Sequence, residues 1–126
     1  MRELILVGSG GFIGAVLRYL ASGMVNRLYP LLSFPYGTLV VNVVGCLLVG
    51  FLSELAASRG TIGPQTRLFL LVGILGSFTT FSTFGYETIS LIDSSERLSA
   101  ALYVLVSVFM SIVAVMVDAS PGAPDA

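Results

Sequence analysis

The chain has 126 residues, of which 56% are hydrophobic and 10% charged, with a mean hydropathy of +0.97. That balance excludes an ordinary soluble domain and identifies an integral membrane protein. A net charge of −1, with six arginines and no lysine, leaves no basic patch for nucleic acid, and the absence of histidine beside a single cysteine argues against a Cys–His nucleophile, an internal disulfide or a zinc site.

Charged residues and turn formers divide the chain into four apolar stretches, about 4–25, 37–57, 67–92 and 98–117. Each is close to the roughly 20 residues that cross a bilayer as a helix. The pattern predicts an all-α membrane protein, one four-helix domain over 1–118, with both termini on one side. The connections are short and carry Pro30, Pro35, Gly60, Gly63 and Pro64. The tail 119–126, with Pro121, Gly122 and Pro124, is expected to be disordered.

The first stretch starts behind Arg2, as a cleaved leader would, but Gly8, Gly10, Gly11 and Gly14 interrupt its apolar core and Arg18 falls within it, so it reads as a retained membrane helix. Its G-S-G-G-F-I-G run superficially matches a dinucleotide-binding loop. Such a loop needs an acidic residue about 20 positions later, and none occurs between Glu3 and Glu54. Small residues that let membrane helices approach closely are the better reading. Arg18 has two: a charge marking a wet cavity that attracts anions, or a side chain snorkelling to a boundary signalled by Tyr19 and Asn26.

In the second stretch, Asn42 sits within G-T-L-V-V-N-V-V-G. Its amide can donate to an anion or tie two helices together, and the residues alone do not choose. Cys46, in the same apolar run, reads as packing.

The third stretch carries the segment around which the chain is organised, G-I-L-G-S-F-T-T-F-S-T-F from Gly73 to Phe84. Two glycines followed by Ser77, Thr79, Thr80, Ser82 and Thr83 predict an interrupted helix. Lipid tolerates one only where freed backbone groups are buried in protein or line a wet cavity. Phe81 and Phe84, three apart, fall on neighbouring faces of the resumed helix. Glu87 follows as the carboxylate deepest in any stretch, equally consistent with proton relay, gating or pairing. In the fourth stretch Tyr103, Ser107 and Ser111 recur every four residues and form one hydroxyl stripe. Neutral donors, one cation and the positive edges of phenyl rings together favour an anion.

Orientation is nearly unbiased: Arg2, Arg59 and Arg67 fall on one side and Arg27 and Arg97 on the other. Such a chain can insert both ways and build an antiparallel dimer, or take one orientation from the small excess. Four helices are too few to enclose much of a polar path, which favours an oligomer in either case.

Three motifs, G-x-x-G-A-x-x-R-Y at Gly11 to Tyr19, G-T-L-x-V-N-x-x-G at Gly37 to Gly45 and G-x-x-G-x-x-T-T-F-S-T-F at Gly73 to Phe84, make the chain resemble the Fluc (CrcB) family of bacterial fluoride channels over all but its tail. The resemblance implies a multi-pass protein of the bacterial inner membrane that is not an enzyme. It would assemble as a dual-topology antiparallel homodimer with two pores, exporting F⁻ passively and so limiting fluoride toxicity. It implies that Asn42 is a pore-lining amide, that Phe81 and Phe84 present ring edges to fluoride, and that Ser82 and Thr83 are nearby hydroxyls. By the same resemblance Tyr103, Ser107 and Ser111 form a polar track, Arg18 is a vestibule cation, and the backbone carbonyls of Gly76 and Thr79 hold a structural Na⁺ at the dimer centre. Ser77 stands where family members commonly have glycine. The competing reading, a small proton-coupled multidrug exporter, would need a carboxylate embedded in the first helix, which offers only Glu3 at its very end.

Overall fold

A computed structural model describes residues 1–28, 34–58, 60 and 62–118. The expected tail disorder at 119–126 and the side assigned to Arg59 fall outside the described residues. The elements are α1 (Arg2–Leu28), α2 (Tyr36–Ser58), α3 (Pro64–Arg67), a π-helical segment (Leu68–Leu75), α4 (Gly76–Phe78), α5 (Ser82–Asp93) and α6 (Arg97–Asp118). Among the described residues four helical spans are long and apolar enough to cross a membrane: α1, α2, the composite Pro64–Asp93 and α6. The protein is thus an all-α, multi-pass membrane protein.

Each span runs up to a turn beyond its expected limits. The difference is instructive at Pro64, which sequence placed in a connection. It opens α3, where a missing N–H costs nothing because the first-turn donors have no partner inside the helix, and Gly63 before it is extended while accepting from the Arg67 N–H at 2.9 Å. The connection from α5 to α6 closes in three residues. Ser95 takes φ 62°, and the N–H groups of Ser95 and Glu96 return to the carbonyls of Ile92 and Leu91 at 3.1 and 2.9 Å. This is the left-handed helix end that glycine usually supplies.

The π-helical segment was not anticipated. Its turn is widened: the Gly76 N–H reaches the Leu71 carbonyl, five residues back, as well as that of Gly73. It lies backbone to backbone on the small-residue face of α1. A Cβ on Gly10 would stand 2.7 Å from the Phe69 oxygen, and one on Gly14 would fall on the Ile74 carbonyl. Without a hydrophobic drive between helices in lipid, this close packing is what holds them together.

On the other side, α2 packs along α6, with Val41 and Tyr103 fully buried and Ala100, Leu91 and Ala114 nearly so. Phe34, Leu39 and Phe84 pack against Leu91, Ala100 and Tyr103. Large apolar side chains such as Phe12, Leu105 and Phe109 face outward, as the bilayer requires.

Candidate functional site

The helix breaks just after α4. Thr79 is extended, at φ −82° and ψ 153°, and α5 begins only at Ser82. Two side chains from other helices and one from the break itself receive the freed backbone. Asn42 brackets the Thr80 peptide, its Nδ2 donating to the Thr80 oxygen at 3.1 Å while its Oδ1 accepts from the Thr80 N–H at 2.9 Å. Arg18 donates from Nε to the Ser77 carbonyl at 3.2 Å, taking the place of a donor one turn further along an unbroken helix. The Thr79 hydroxyl turns back onto the Leu75 carbonyl at 3.1 Å. The restart of α5 is capped from Thr80, whose Oγ1 accepts from the Thr83 N–H at 3.4 Å and donates to the Thr83 hydroxyl at 3.3 Å. No hydrogen bond among the described residues reaches the carbonyl oxygens of Gly76 or Thr79.

Glycine brings α2 onto the break. A Cβ on Gly45 would overlap the Thr79 methyl group and crowd the Phe78 ring, so the side chains of the break pack directly on the α2 backbone there. Next to this contact is an open groove of about 400 Å³, lined by Asn42, Cys46, Gly76, Thr79, Thr80, Phe81, Phe84, Ser107, Val108 and Ser111. Phe81 is 83% exposed, with its ring centroid 5.7 Å from that of Phe84. Ser107 is 5% exposed, and its Oγ has no hydrogen-bond partner among the described residues.

Of the residues singled out from sequence, Asn42, Gly76, Thr79, Phe81, Phe84, Ser107 and Ser111 meet at this groove. Four stand apart. Tyr103 is fully buried and donates its hydroxyl to Glu87 Oε2 at 3.0 Å. Ser82 is exposed beside Thr80, and Thr83 is turned to the same hydroxyl. Arg18 approaches the break from the α1 side. For Asn42 the structure realises the helix-to-helix tie, yet one amide N–H is left over. Glu87, undecided from sequence, is held through both oxygens, since Thr38 Oγ1 also donates to Oε1 at 2.7 Å.

Sequence reading missed Thr38, Thr80 and Cys46 as members of the constellation. The signal was available for two of them. Thr38, Asn42 and Cys46 are four apart on α2, as Tyr103, Ser107 and Ser111 are on α6, so the helices offer two facing polar stripes. Thr80 carried no such signal, because its role depends on where the helix breaks.

The open groove is lined by neutral donors and two phenyl rings, a set that suits transient contact with a small anion rather than covalent chemistry. Comparison with known proteins points the same way. The family profile described as "CrcB-like protein, Camphor Resistance (CrcB)" matches residues 5–119. A Clostridium novyi protein named "Fluoride-specific ion channel FluC" is 43% identical over 118 residues, 94% of this chain and 91% of its own. "Fluoride-specific ion channel FluC 1" of Methanosarcina acetivorans is 44% identical over 115 residues, 91% and 86% of the two chains. A Rhizobium meliloti relative, also named for the fluoride channel, is 43% identical over 116 residues, 91% of each.

Proposed function

This chain belongs to the CrcB family, and from that premise we propose that it is a fluoride-selective channel, not an enzyme, passing F⁻ out of the cell down its gradient. The observation that carries this reading is the groove at the break, where Asn42, Phe81, Phe84, Ser107 and Ser111 converge and a buried serine oxygen has no partner among the described residues. Fluoride entering it gives up hydration water. The spare Asn42 N–H, the Ser107 and Ser111 hydroxyls and the phenyl edges of Phe81 and Phe84 replace that water. Chloride is larger, makes longer and weaker hydrogen bonds, and recovers less of what dehydration costs.

Export needs no nucleotide. HF crosses membranes uncharged and dissociates in a more alkaline cytoplasm, leaving an anion that the membrane potential drives outward with about 2.3 kcal/mol per charge per 100 mV.

A second copy of the chain in the opposite orientation completes the path. Phe81 and Gly76 are exposed on the single chain, and the groove is open along that side. The arginines, almost evenly divided, support insertion in both directions. The Gly76 and Thr79 carbonyls suit Na⁺ chemically, being hard neutral oxygens at a point where the helix cannot use them. One chain offers too few, and a twofold-related copy doubles the set. A bound Na⁺ would supply positive charge that fixes the two breaks together.

Proteoliposomes loaded with fluoride test the reading through a fluoride-selective electrode. Rapid fluoride loss without proton exchange, and retained chloride, are expected. Vesicles that keep their fluoride would refute the channel. Oriented crosslinking that finds only parallel pairs would refute the antiparallel dimer, and equal thermal stability in Na⁺ and K⁺ would refute the sodium site.

A further inference from the structure

The groove contains one group that the conduction reading leaves unused. Cys46 is the only cysteine in the chain, is half-buried, and lies one helical turn beyond Asn42 on α2. It lines the groove with Ser107 and Ser111 of α6. Ser107, which lines the groove from α6, is buried, and its Oγ is without a partner among the described residues, so an unfilled polar valence lies beside this part of the groove. Behind Cys46, Gly45 is pressed on the Thr79 methyl group and Val41 is sealed in the core, so α2 has no slack with which to withdraw. Whatever attaches to the thiol must therefore occupy the groove itself.

Resting on the channel reading above, we propose that Cys46 is a binding site for soft, thiophilic metal ions, and that a metal held there closes the anion path. The chemistry follows from ligand softness. Thiolate sulfur prefers soft metals, while the amide and hydroxyl oxygens around it do not. With mercuric chloride, a neutral molecule able to cross lipid, the thiol gives R–S–Hg–Cl. The S–Hg bond forms, one Hg–Cl bond breaks, and chloride and the thiol proton leave, with no change of oxidation state. A metal carrying its remaining ligand stands between the α2 and α6 stripes, next to Ser107, where a partly dehydrated anion has to pass.

The experiment uses the full chain in fluoride-loaded vesicles, measuring efflux before and after mercuric chloride and again after excess dithiothreitol, with intact-protein mass in parallel. The expected result is a fall of at least tenfold in flux, recovery with the dithiol, and one mercury per chain by mass. The treated-to-untreated ratio should stay near one in Cys46→Ala and in Cys46→Ser. A Val44→Cys change in the Cys46→Ala background places a thiol on an exposed part of α2 outside the groove lining. It should take up mercury without losing flux.

Mercury bound to the native chain with flux unchanged would overturn the proposal, as would no mercury uptake by a conducting channel, or an equal loss of flux in the Val44→Cys variant. Absence of flux before any treatment would instead defeat the channel reading, and the blocking site with it.

Discussion

Replacing Asn42 by aspartate is the most discriminating change the structure suggests, because it alters charge and donors while keeping shape. The amide Nδ2 that donates to the Thr80 oxygen becomes an oxygen facing an oxygen, and only the bond accepted from the Thr80 N–H survives. A carboxylate also enters the wall of the groove. Two unit charges about 4 Å apart repel by about 4 kcal/mol at an effective dielectric of about 20. At one factor of ten per 1.4 kcal/mol, fluoride flux at neutral pH should fall roughly a thousandfold. Asn42→Ala loses both bonds without adding charge, which loosens the break by about 1–3 kcal/mol. It should therefore cost stability and less flux. Electrode-recorded efflux and detergent melting curves on the two variants separate these effects. Acidification that protonates the introduced carboxyl restores a neutral donor and should recover part of the flux in Asn42→Asp alone. An aspartate variant that folds and passes fluoride within threefold of the native protein at neutral pH would refute the idea that the groove carries the anion.

Phe81→Ile should lower fluoride flux at least tenfold while the purified protein elutes at an unchanged size, because the exposed ring is lost but no buried packing is. Gly14→Ala should destabilise by about 1–3 kcal/mol through overpacking on the Ile74 carbonyl. Gly8→Ala in the same helix meets nothing within 4 Å and should be neutral or gain up to about 1 kcal/mol; melting temperatures of the pair check this. Ser95→Gly should stabilise by about 1 kcal/mol, since the left-handed conformation at φ 62° penalises a Cβ. Tyr103→Phe removes one of two donors to Glu87 and should cost about 1–3 kcal/mol of stability, read from the same melting curves.

The four crossings were legible in the sequence because lipid imposes one demand on length and composition, and apolar runs answer it directly. The break was legible for a related reason: hydroxyl residues and glycines in a span make sense only where backbone groups find unusual partners. The identity of those partners was not. Arg18 and Ser77 are 59 residues apart and Asn42 and Thr80 are 38 apart, and no local pattern encodes a contact made through packing. The widened segment Leu68–Leu75 was likewise hidden, since its apolar run has no period separating a wide helix from an ordinary one. Only its bed, the Gly10 and Gly14 face of α1, makes sense of it. Tyr103 shows the limit of spacing arguments. It shares a stripe with Ser107 and Ser111, yet Glu87, one element away, draws its hydroxyl off the groove and into the core.

An inventory of polar groups within the spans connects these facts to function. A polar group left unpaired in hydrocarbon costs several kcal/mol, so a stable membrane fold spends its donors and acceptors internally wherever it can. This chain does so at Arg18 with Ser77, at Asn42 with Thr80, and at Glu87 with Thr38 and Tyr103. Among the described residues, the groups left over include the second Asn42 N–H, the Ser107 hydroxyl and the carbonyls of Gly76 and Thr79, and these four residues line one groove. Donors and acceptors are both present among them, so a single ion cannot satisfy the set. On the proposed reading, an anion on the amide and hydroxyl side and a cation on the carbonyl side would satisfy it together, and the exposed face at Phe81 and Gly76 is where a second copy would close over both.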